Sequence, residues 1–139
     1  MSLSIRNQLP GTVTAVLPGE AMATVRVRLA GGQELTAAIT RESVEGLGLV
    51  PGSAVRALVK STEVSLATAP VDGLSIRNLL PGTVTGVTAG TAMASVKVDA
   101  QGAALTAVIT REAVEELGLS AGVPVVALIK STEVSLATG

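Results

Sequence analysis

The chain has 139 residues, 10 Lys and Arg against 11 Asp and Glu, a formal net charge of −1, and no His, Cys, Phe, Tyr or Trp. Without imidazoles or thiols, a transition-metal cation site is excluded in practice. Near-neutral charge without aromatic stacking platforms argues against a nucleic-acid partner.

Taken in order, Ser4 to Gln8 is short and polar at alternate places. Leu9-Pro10-Gly11 predicts a kink or bulge, because proline removes a donor and glycine tolerates unusual dihedrals. Thr12 to Val16 alternates β-branched polar and apolar residues, the pattern of a half-buried strand. Pro18-Gly19 turns the chain, and Ala21 to Leu29 alternates again. Gly31-Gly32 predicts a hairpin turn, leading into a third strand over 33–39. Thr40 to Leu49 carries the one helix signal, with Thr40 as N-cap and Gly48 as its stop. A fourth strand follows over 54–59 and a fifth over 62–66.

The pattern then repeats. Leu74-Ser75-Ile76-Arg77-Asn78 restates Leu3-Ser4-Ile5-Arg6-Asn7, and the nine residues from Lys130 restate the nine from Lys60. About two-thirds of aligned positions are identical, and one residue is missing from the second copy between the equivalents of Leu29 and Leu35. The boundaries read as residues 1–69, a linker at 70–73, and residues 74–139. Each unit predicts five strands and one short helix between the third and fourth. The fold class is therefore mainly β: two tandem five-stranded OB-like Greek-key barrels. A unit this small, with an aliphatic core and no staple, is marginal alone. An apolar fraction of 47% predicts burial between units and in an oligomer. The N-terminus lacks a cationic stretch leading into an apolar run, and no apolar run reaches membrane length. A cytoplasmic chain without membrane contact is the expectation.

Catalysis has little to work with. A nucleophilic serine needs a base beside it, and Lys60-Ser61 are strand neighbours expected on opposite faces. No enzyme is expected. Both ends of each half instead carry cations and short neutral donors. Ser4, Arg6, Asn7, Lys60 and Ser61, and again Ser75, Arg77, Asn78, Lys130 and Ser131, are the groups that hold a small oxyanion. Thr40 and Thr110 add hydroxyls at helix N-termini, although a plain helix cap explains each by itself. Position 43 is Ser and its counterpart Ala113 cannot donate. The small stretches Ala21-Met22-Ala23 and Ala92-Met93-Ala94 would let main-chain N–H groups approach a ligand, or let two subunits pack closely.

Three stretches taken together resemble a known family. They are Ser4-Ile5-Arg6-Asn7 with Leu9 to Thr14, Ile39-Thr40-Arg41-Glu42, and Ala57-Leu58 with Lys60 to Val64. Each recurs in the second half, and the combination resembles the Mop domain of the molybdenum-pterin-binding proteins, the molbindins. That resemblance implies a barrel binding molybdate or tungstate as the oxyanion ligand, with no catalytic cofactor. It implies molybdenum storage and homeostasis, in a homotrimer whose six Mop domains form a pseudo-sixfold assembly. It implies ligands from Ser4, Arg6, Asn7, Lys60 and Ser61 and their second-half counterparts. Thr40, with Thr110 as its counterpart, would come across an interface, Ser43 would be a further anion ligand with no equivalent at Ala113, and Ala21–Ala23 and Ala92–Ala94 would form a second class of site. A regulatory or accessory module acting through a partner protein is the other role it leaves open.

Overall fold

The computed structural model describes residues 3–139. The first half runs β1 (Asn7–Pro18), β2 (Met22–Leu29), β3 (Glu34–Thr40), α1 (Arg41–Leu47), β4 (Ala54–Val59) and β5 (Ser65–Ala67). The second runs β6 (Asn78–Ala89), β7 (Met93–Ala100), β8 (Ala103–Thr110), α2 (Arg111–Leu117), β9 (Pro124–Ile129) and β10 (Ser135–Ala137). Alternation makes the sheets. Along β2, Ala23, Val25, Val27 and Leu29 are buried while Met22, Thr24, Arg26 and Arg28 face outward. Buried Val, Leu and Ala from both halves form one aliphatic core.

Two expectations need correction. Leu9-Pro10-Gly11 is not a kink, because β1 passes through it in register with β4, Pro10 opposite Arg56. Gly11 is there for close approach, since a Cβ would sit 2.5 Å from Val27 Cγ1 and 2.7 Å from Arg28 O. The bulge falls at Thr14, between the pairs Val13–Val27 and Ala15–Arg26, and at Thr85 in the second half. Nor does the fifth strand begin at Thr62. Ser61–Glu63 forms a 3₁₀ turn closed by Glu63 N donating to Lys60 O at 2.9 Å, and the strand starts at Ser65. Serine and threonine compete for main-chain partners and so favour turns over ladders. Ser131–Glu133 does the same.

The helices follow the local signals. Thr40 Oγ1 accepts from Ser43 N at 3.1 Å, and Thr110 Oγ1 accepts from Ala113 N at the same distance. Gly48 and Gly118 end the helices in the left-handed region. The one-residue difference lies in the hairpins. In the second half Gln101 and Gly102, both at positive φ, make a two-residue turn of the primed type. In the first, three residues fill the turn, because Leu29 N donates to Gln33 O at 2.8 Å, and Gln33 Nε2 donates across to Ala100 O.

Sheet order is β10-β4-β1-β2-β3 in one five-stranded curled sheet and β5-β9-β6-β7-β8 in the other. Each half therefore gives its last strand away: Ser65–Ala67 pairs with Val126–Leu128, and Ser135–Ala137 pairs with Arg56–Leu58. Val64 and Val134, just ahead of the exchanged strands, are buried. A cut within residues 70–73 is expected to leave the two halves together in native gel filtration. Two separate species after the cut would show that the exchange does not hold them.

Candidate functional site

Chain crossing sets the site. Residues 4–6 approach β1, and Asn7 opens it. Asn7 lies opposite Val59, whose strand β4 runs directly into Lys60 and the 3₁₀ turn. The two polar ends of a half are thereby brought side by side. Ser4, Ile5, Arg6, Lys60, Ser61 and Thr62 line one cavity of about 260 Å³.

Ser61 is the informative residue. Ser61 Oγ is buried and has no hydrogen-bond partner, and Ser131 Oγ is in the same state in the second half. A buried hydroxyl left unpaired costs free energy, on the order of 1–3 kcal/mol. The same atom is unpaired at the same place in both halves, next in sequence to Lys60 and to Lys130. Lys60 and Arg6 remain exposed, so they bring charge without being desolvated.

Asn7 does something else with its carboxamide. It is 1% exposed, and its Nδ2 donates to Thr106 O at 2.9 Å while its Oδ1 accepts from Thr106 N at 2.8 Å. Asn78 repeats this with Thr36, at 2.9 and 2.7 Å. The side chain imitates a strand partner for β8 or β3 of the opposite half, leaving one N–H for any ligand. The main-chain groups of Thr36 and Thr106 carry no sequence signal, so these clasps were not foreseeable from residue types.

Within one chain, Thr40 does not meet Lys60 and Ser61. It lines a second cavity of about 500 Å³ with Glu20, Ala21, Arg41, Glu42 and Glu45. Thr110 lines its counterpart of about 490 Å³ with Thr91, Ala92, Arg111, Glu112 and Glu115. Ser43 Oγ takes a hydrogen bond from Thr40 Oγ1 at 2.7 Å, so both hydroxyls are engaged in capping α1. Arg41 donates to Gly19 O at 3.3 Å and pairs with Glu45 at 3.9 Å, and Arg111 pairs with Glu115 at 3.1 Å. Carboxylates thus outnumber the one arginine in each, which disfavours a dianion there. Of the small stretches, Ala23 and Ala94 point into the core, while Met22 and Met93 are about half exposed. Only Ala21 and Ala92 face these cavities. No group of three or more acidic residues among the described residues is placed to hold a metal ion.

The TOBE domain model matches residues 3–66 and again 74–136. The chain belongs to the TOBE-domain family. Among similar TOBE proteins is the molybdenum-pterin-binding protein MopB of Rhodobacter capsulatus. It is 44% identical over 136 residues, covering 96% of this chain and 50% of that protein. The molybdenum transport protein ModE of Azotobacter vinelandii is 40% identical over 138 residues, covering 99% of this chain and 51% of that one. The chain spans about half the length of these curated relatives. A crystal structure of the cytoplasmic molybdate-binding protein ModG, with molybdate bound, superposes with a TM-score of 0.97 at 40% identity, covering 100% of both chains. The expectation of two tandem OB-like barrels, each with one short helix, is thereby met.

Proposed function

We propose that this chain binds molybdate or tungstate as an intact oxyanion and serves intracellular molybdenum storage and homeostasis. The observation that carries the reading is the pair of buried, unpartnered hydroxyls, Ser61 Oγ and Ser131 Oγ. Each lies at the junction of two cationic segments. Ser4, Arg6, Lys60 and Ser61 hold one anion, and Ser75, Lys130 and Ser131 hold another, with Arg77 on the same loop. Asn7 and Asn78 shape the two loops. A tetrahedral dianion suits such a site because short donors reach its oxygens while lysine and arginine balance its charge from the solvent side. ModG, similar over its full length and described as cytoplasmic and molybdate-binding, supports the ligand class and the compartment.

A homotrimer with six domains in a pseudo-sixfold arrangement is part of this reading. Leu17, Met22, Val50 and Met93 are 72, 47, 58 and 45% exposed, apolar surface that such an interface would cover. Across such an interface Thr40, Ser43 and Thr110 would reach a neighbour's site. A molybdate-responsive module working through a partner protein is the second reading, supported by relatives named as ModE and as the import ATP-binding protein ModC.

Equilibrium dialysis against molybdate, tungstate and sulfate, with the oligomer's mass from light scattering, tests the proposal. Saturable binding of molybdate or tungstate with sulfate clearly weaker is expected, because fixed donors fit one anion radius. Equal affinity for sulfate, or no binding, would sink it.

A further inference from the structure

The two halves have the same residues at the loop site, yet their arginines are engaged differently. Arg77 Nη2 donates to Leu74 O at 2.7 Å, and its Nε lies 3.4 Å from Ser75 O. Its guanidinium is folded back over its own loop. Arg6 makes no hydrogen bond or ion pair with any described residue and lines the cavity beside Lys60 and Ser61. Gly73 at φ +73° turns the chain just ahead of Leu74.

We infer that the two sites of one chain are unequal, with Arg6 a direct anion ligand and Arg77 a brace for residues 74–77. The inference rests on the oxyanion reading of these loops. A free guanidinium can turn all its donors toward an anion. Arg77 must first release two main-chain carbonyls, and that exchange cancels much of what the new contact contributes. The Ser61 site therefore fills first, and the Ser131 site follows at an affinity about tenfold lower. This inequality is independent of the Ser43/Ala113 difference, which lies at the helix caps.

Calorimetric titration of the full chain with sodium molybdate tests it, using the parent, Arg6→Gln and Arg77→Gln. The parent is expected to show two equal classes of site about tenfold apart. Arg6→Gln should merge them at the weaker affinity, and Arg77→Gln should leave both classes in place. A single class in the parent, or equal losses in the two variants, overturns the inference while leaving the oxyanion reading standing. A parent that takes up no molybdate overturns the oxyanion reading itself. Thermal melts without anion check that both variants remain folded.

Discussion

Replacing Asn7 by Ala is expected to lower the unfolding free energy by about 2–4 kcal/mol. The side chain is 1% exposed, so nothing replaces it readily. Its removal strands Thr106 N and Thr106 O, each of which loses a partner at under 3 Å. For a chain of this size the shift in melting temperature is on the order of 10 °C. Asn78→Ala should cost about the same through Thr36, and the double variant roughly the sum, because the two clasps share no partner. Thr106→Val is the control. The clasp uses the main chain of Thr106, while its hydroxyl only accepts from Lys97 Nζ at 2.9 Å on the exposed side. That change should therefore move stability little, within about 0.5 kcal/mol. Melting curves of the four variants decide the matter. If Asn7→Ala melts with the parent, the clasp contributes nothing and water has taken its place.

Most of the strands and both helices are legible in the residue pattern, because alternation and capping are local rules. Ala23, Val25, Val27 and Leu29 announce a half-buried strand, and Thr40 with Gly48 announces a helix between them. The destination of the last strand is not legible. Ser65–Ala67 and Ser135–Ala137 have the same sequence, and they meet nearly the same partners, Ala57-Leu58 and Ala127-Leu128. Pairing at home or with the other half satisfies the same side chains, so the choice is topological. Pro10 misled for a related reason: a proline is compatible with a ladder when its nitrogen faces away from the paired neighbour. The site was legible as a set of residue types at two chain ends. Its depth was not. Ser61 looks like one more polar residue until the turn over 61–63 buries its hydroxyl, and nothing in Asn7 announces that it meets Thr106 of the other half.

At the proposed anion site, Ser61→Ala is expected to be the most damaging small change. The variant removes one oxygen that has no partner inside the chain. Its folded stability should hold or rise slightly, since an unsatisfied buried group is lost. Binding should move the other way. A hydrogen bond to a charged group contributes about 1.5–3 kcal/mol, which is roughly tenfold to more than a hundredfold in affinity. Lys60→Met should cost less, up to about fivefold, because the ammonium is exposed and water screens it. The salt dependence should separate the two. Raising ionic strength should shrink the Lys60→Met defect and leave most of the Ser61→Ala defect, which is a short-range contact. Each acts on its own half, so Ser131→Ala and Lys130→Met should affect the remaining sites and the double serine variant should lose both sets. Molybdate titrations at two salt concentrations, paired with thermal melts, give the answer. Parent-like affinity in Ser61→Ala and Ser131→Ala would mean that the orphaned hydroxyls are defects of packing, and the site would have to be sought elsewhere.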